Sequence, residues 1–144
     1  MAETLGSLCD KLTIVKLKQF HSTDAEKLAS LANQEKQLQE EIDTFVSDAL
    51  SGRIPFEKLS FAANKVYKKE GNEIEVISGN IGQIFAKLAE VNCKLWHEQD
   101  KVYDFSKVPA EEKDIVVKQL GVLNLERNQY IDKIDSLLKE SLKK

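Results

Sequence analysis

Counting forward from Ile74 by alternate steps of three and four residues reaches Ile77, Ile81, Ile84, Leu88, Val91, Leu95, Glu98, Val102 and Phe105. Every stop is apolar except Glu98. A heptad seam of this coiled-coil type commits a chain to a helix facing another helix. The spacing predicts one helix from Ile74 to Phe105, about 48 Å long at ~1.5 Å per residue. Its single polar stop lies in the densest polar and aromatic cluster of the chain, formed by Asn92, Leu95, Trp96, His97, Glu98, Gln99 and Asp100.

Other stretches repeat the pattern. A first helix is expected from about Thr4 to Phe20. Leu5, Leu8, Leu12 and Val15 form its stripe, while Ile14, Leu17 and Phe20 lie on other faces, so it should be buried on more than one side. Asp10, Thr13 and Lys16 on that helix are either rim positions, with Lys16 snorkelling, or a partly buried network in which each charge needs a partner. A second helix should open with a capping box of Thr23 and Glu26, carry Leu28, Leu31, Glu35, Leu38, Ile42, Phe45 and Ala49, and stop at Gly52. Pro55 should begin a third, striped by Phe56, Leu59, Ala63 and Val66 and ended by Gly71. Its continuity with the following helix is left open. The last should open at Pro109, with Glu111 and Glu112 in its positive first turn. Its seam is Val116, Leu120, Leu123, Arg127, Tyr130, Ile134 and Leu137. The expected fold is all-α: an antiparallel bundle of about five helices, three of them long, in a single domain spanning 1–144.

Composition agrees with that class. Charged residues make up 31% of the 144 residues, with only two prolines and six glycines, a helical rather than a sheet profile. The net charge of -3 comes with both signs interspersed, so nucleic acid is not expected as a partner. No apolar run approaches the ~20 residues that cross a bilayer, and no signal peptide is evident. Cys9 and Cys93, far apart in a helical chain, suggest a reducing compartment, with the cytoplasm as the default.

Three long helices each place one polar group in an apolar seam: Glu35, Glu98 and Arg127. Two explanations remain open. A buried polar residue can fix helix register, or several can line a pocket between helices. Arg127 is expected to pair with a carboxylate, with Glu98, Asp10 and Asp100 as candidates, because an unpaired guanidinium in a seam is costly. His97 and Asp100 share a helix face at i, i+3, but a metal site needs about four donors and no second such pair is present; no metal and no cofactor is expected. His21 reads as a solvated turn residue. No nucleophile triad, phosphate loop or dinucleotide fingerprint appears, and Gly79 and Gly82 lack the preceding strand that a phosphate cradle requires.

Gly6-Ser7-Leu8-Cys9-Asp10-Lys11-Leu12-Thr13-Ile14-Val15-Lys16-Leu17-Lys18 resembles the opening of a bacterial family of unknown function whose members begin G-E-L-x-D-K-[IL]-T-I-L-E-[IL]-K. The family's later V-N-x-x-L-W-x-x-E-D block is similar to the run from Val91 to Asp100, and its N-D-x-R-x-x-x-K-x-x-I-N helix to the run from Asn124 to Asp135. The chain departs from it at Gln99, Leu125 and Ile131, which stand where the family has an acid, an acid and a lysine. The resemblance implies a bacterial, cytoplasmic, helical protein, often encoded near glycan and glycosyltransferase genes. It brings forward Asp10, Thr13, Lys16, Asn92, Trp96, Asp100, Asn124 and Arg127, to which the seam adds Glu98, as ligand-binding or polar-network residues.

The functional expectation is a non-enzymatic helical interaction or accessory module, linked through the resemblance to cell-surface glycan synthesis. It is expected to be a homo-oligomer or to bind a protein partner, with a dimer burying part of the surface of the fourth or fifth expected helix, because the helices are long and Val117, Ile131 and Leu138 lie off the main seam. The alternative is a protein that binds a nucleotide or nucleotide sugar, or hydrolyses one with Mg²⁺, in an interhelical polar pocket. No catalytic residue is assigned.

Overall fold

The computed structural model describes residues 2–61 and 79–143. Helix accounts for 84% of what it describes, and there is no strand among the described residues. Four α-helices are present there: α1 (Leu5–His21), α2 (Ala25–Ser51), α3 (Ile81–Tyr103) and α4 (Ala110–Ser141), with single 3-10 turns at Phe56–Lys58 and Phe105–Lys107. None of these helices is long and apolar enough to cross a membrane.

Among the described residues four α-helices stand where five are expected. Pro55 precedes only the short 3-10 turn, and Ala63, Val66 and Gly71 of the expected third helix lie outside the described residues. The long seam also starts later than its spacing suggests. Ile74 and Ile77 are outside the described residues, and Gly79 has φ 132°, a conformation that no helix contains. Helix α3 therefore begins after Asn80, whose side chain and that of Gln83 form a reciprocal capping box. Its 23 residues span about 35 Å at the standard rise. From Ile84 to Leu95 the seam is real: Ile84, Leu88, Val91 and Leu95 are all buried. At its two ends, Ile81 and Val102 are exposed.

Helix α2 is capped by Asp24 rather than Thr23. The Asp24 carboxylate accepts from the Glu26 and Lys27 amides, and an ionised cap is favoured over a hydroxyl by the positive helix end. The expected stop at Gly52 holds, with φ 80°. Pro109 is the N-cap of α4 rather than its first helical residue.

Helix α1 packs against α2, α3 and α4, and α3 runs along α4. Leu5 and Cys9 of α1, Ile84 and Leu88 of α3, and Ile131 and Ile134 of α4 form the main core, with Ile42, Phe45 and Val46 of α2 packed against it. Val91, Leu95 and Leu123 form a second cluster further along α3 and α4.

The start of α1 is pinned to α4. Thr4 and Ser7 form a reciprocal capping box, and the Gly6 amide donates to Asp135 Oδ1 at 2.6 Å. A carboxylate here meets orphan amides of the first helical turn and the positive end of the dipole. Glycine is required for the approach, since a Cβ on Gly6 would stand 2.4 Å from the Ile131 carbonyl oxygen. Gly6→Ala must push α1 off α4, and we expect urea denaturation to show a loss of about 1–3 kcal/mol.

Burial still outweighs those hydrogen bonds. Desolvation, opposed by the Gly6 and Thr4 bonds and helped by Asp132, raises the Asp135 pKa from 3.8 to about 6. A carboxyl that holds its proton more tightly when folded stabilises the fold at low pH, and that contribution is lost as pH rises through the folded value. From pH 4 to pH 6 the loss should be on the order of 2–4 kcal/mol. Comparing thermal unfolding of the wild type and Asp135→Asn across this window isolates it: the two curves should converge near pH 4 and separate towards pH 7.

Candidate functional site

Asp10 is the centre of the polar interior. It lies on the buried face of α1 with Leu5, Leu8, Cys9 and Val15. Arg127 of α4 donates to it from two nitrogens, Nε to Oδ1 at 2.9 Å and Nη2 to Oδ2 at 2.5 Å. Asn92 of α3 adds a third bond, Nδ2 to Oδ1 at 3.0 Å. One carboxylate therefore ties three helices together. The side-on fork is the geometry in which a guanidinium matches a carboxylate best, and the hydrogen bonds to Asp10 raise the Arg127 pKa above its ordinary value.

The rest of the cluster orients this pair. Thr13 Oγ1 donates to the Asp10 carbonyl at 2.7 Å and accepts from Asn92 Nδ2 at 2.7 Å. Both hydrogens of the Asn92 amide are thus used. The amide cannot be turned over, because its oxygen would then face a carboxylate that only accepts. Asn92 Oδ1 is buried without a hydrogen-bond partner among the described residues.

Of the candidates from the sequence, Asp10, Thr13, Asn92 and Arg127 form this one cluster. The others stand apart from it. Lys16 pairs with Glu35 of α2 at 3.0 Å, and Gln19 joins them through Glu35 Oε2 at 2.9 Å. These hydrogen bonds, first from Gln19 and then from Lys16, hold the Glu35 carboxyl below its usual range. Glu98 is paired with Lys101 of its own helix at 3.0 Å, not with Arg127. Asp100 and Asn124 are exposed. Trp96 stacks on His21 with centroids 4.7 Å apart and planes at 20°. His21 is therefore more than a solvated turn residue, and its Nδ1 also lies 2.9 Å from the Leu17 carbonyl oxygen.

The sequence reading missed Asp135. The signal was available, since Ile131, Ile134, Asp135 and Leu138 follow the i, i+3, i+4, i+7 spacing of one helix face. It also missed the groove beside the pair. A cavity of about 360 Å³ opens between α1, α2 and Arg127, lined among others by Lys11, Lys18, Gln34, Gln37 and Glu41. A second, of about 590 Å³, adjoins the α1–α2 turn and is lined by Lys18, His21, Lys27, Gln34 and Trp96 among others.

Two further chemistries can be placed. Burial, with Asp135 and Asp10 nearby, pushes the Cys9 thiol up to about 11, so it stays protonated and unreactive at neutral pH. Among the described residues no group of three or more His, Cys, Asp or Glu side chains is arranged to hold a metal ion. Comparison with known proteins gives no matching family model, no similar curated protein and no similar solved structure.

The Asp10–Arg127 pair is asymmetric, and that sets a test. The side chain of Asp10 is 7% exposed and that of Arg127 is 32% exposed. Removing the arginine strands the better-buried ion. We expect Arg127→Ala to cost about 3–5 kcal/mol and Asp10→Ala less. Chemical denaturation of both single variants and the double variant should give a coupling energy above about 1 kcal/mol. A coupling near zero would make the pair incidental to stability.

Proposed function

We propose that the chain is a non-enzymatic helical interaction module, an antiparallel bundle that pairs with a second copy of itself along α2. The observation that carries this reading is the incomplete cover of the α2 apolar stripe. Of its 27 residues only Leu31 and Ala49 are buried, while Leu28, Leu38, Ile42, Phe45 and Val46 remain half-buried. An amphipathic helix with a half-covered seam gains by burying the remainder. The off-seam residues of α4 fit less well: Val117 is exposed, but Ile131 is buried and Leu138 packs against the core.

The charge pattern favours a second copy in a two-fold arrangement. The C-terminal half of α2 carries Glu40, Glu41, Asp43 and Asp48, whereas the N-terminal half balances Glu26 and Glu35 with Lys27 and Lys36. An antiparallel two-fold contact lays the acidic half of one helix on the lysine-bearing half of the other and avoids acid against acid. The polar residues that suggested a site also support a binding rather than a catalytic role, since the Asp10 carboxylate and both Asn92 amide hydrogens are spent within the cluster. A cytoplasmic accessory role beside glycan-synthesising enzymes rests on the family resemblance alone.

Sedimentation at micromolar concentration should give a species of twice the 16.3 kDa chain mass. Leu28→Glu should return it to the monomer with its helical circular dichroism retained. A wild-type monomer throughout that range would overturn the reading.

A further inference from the structure

We propose that the cavity between α1, α2 and Arg127 binds a small polyhydroxylated carboxylate, such as a sugar acid, with the carboxylate seated on the unused edge of the Arg127 guanidinium. This goes beyond self-association and does not depend on it. A guanidinium presents five N–H groups in one plane. Asp10 takes Nε and one hydrogen of Nη2, and Nη1 has no partner among the described residues. The free edge is held rigidly, because the fork to a buried carboxylate fixes the plane of the group. A second planar carboxylate can be held there bidentately.

Charge selects the class of ligand. Arg127, Lys11 and Lys18 line the cavity, against Asp10 and Glu41. Arg127 is paired with Asp10 and Lys11 with Glu3, so Lys18 and Glu41 are the charges left in the lining, and a monoanion disturbs that balance by one charge where a phosphate dianion disturbs it by two. Lys18, which has no partner among the described residues, is the cation free to meet the monoanion.

The remaining lining suits hydroxyl groups. Gln37 Nε2 donates to Glu41 at 3.3 Å and Gln34 Nε2 to Ser30 at 3.4 Å, so both amide oxygens are left to accept. Glu41 accepts as well. Ile14, Val15 and Leu38 give an apolar wall for the C–H face of a carbon skeleton. A volume of about 360 Å³ falls at the small end of the ~300–1,000 Å³ range of ligand pockets.

Isothermal titration calorimetry of the whole chain with glucuronate and gluconate tests the assignment, with glucose as the uncharged control and glucose 6-phosphate as the dianion. Saturable binding of a sugar acid is expected, with no binding of glucose. Lys18→Gln and Gln37→Ala leave the Asp10–Arg127 pair untouched; the first should weaken binding about tenfold, the worth of one charged contact, and the second several-fold. Arg127→Lys, which keeps the charge but loses the planar edge, should abolish it. Absence of saturable binding of either acid, or binding unchanged in Lys18→Gln and Gln37→Ala, would overturn the proposal. Tighter binding of glucose 6-phosphate than of glucuronate would overturn the carboxylate assignment.

Discussion

The arrangement of α1, α3 and α4 depends on one buried carboxylate. Asp10 is charged and nearly inaccessible, and its burial is tolerable only because Arg127 and Asn92 both donate to it. Replacing such a pair by well-packed apolar side chains is often neutral or stabilising, so its worth lies less in net stability than in what it forbids. A slide of α4 by one turn, about 5.4 Å, would strand an ion in the core. Shape alone is less strict, because leucine and isoleucine seams tolerate neighbouring registers. The Gly6–Asp135 bond adds a second fixed point one turn before Asp10 on α1 and two turns beyond Arg127 on α4. Together they define both the closeness of the two helices and their alignment.

Much of this was legible from spacing. The apolar stops from Ile84 to Leu95 fall on the buried face of α3, and Arg127 between Leu123 and Tyr130 marks a charge that needs a partner. The identity of the partner was only partly legible. Helix periodicity relates residues within a few turns, whereas Arg127 and Asp10 are 117 positions apart. A hairpin about Lys107 sets Arg127 level with Lys87, which places Glu98 about 15 Å away along the axis. That argument points from α3 towards α1, but nothing in the local pattern separates Asp10 from other acids. Asp135 was legible and overlooked, because a seam drawn through Tyr130, Ile134 and Leu137 passes beside it. The error follows from treating α4 as having one apolar stripe when it packs against both α1 and α3.

The helix boundaries show a different limit. Gly79 interrupts a heptad phase that continues through it, since the hydrophobic pattern records which side chains face inward and not whether the backbone is helical at each step. The Thr23–Glu26 capping box likewise lost to Asp24 one position later. Both residues can accept from a helix N-terminus, and the carboxylate wins because it also answers the dipole.

Helix α2 stands outside the network that organises the other three. It supplies no group to Asp10 and meets α1 through Lys16, Gln19 and Glu35 on one side, with its C-terminal half resting on the main core. Around Gln34, Gln37 and Glu41, long polar side chains take positions where shorter apolar ones would close the gap to α1, and a cavity results. The same feature leaves the apolar stripe of α2 half-covered. Interior space and an open outer seam are thus two consequences of one sequence choice, a helix whose stripe is too narrow and too interrupted to be fully buried against a single neighbour. Asp10, Asn92 and Arg127 hold α1, α3 and α4 without a group from α2, so the proposed ligand on its inner side and the proposed second copy on its outer side would both meet a helix outside that network.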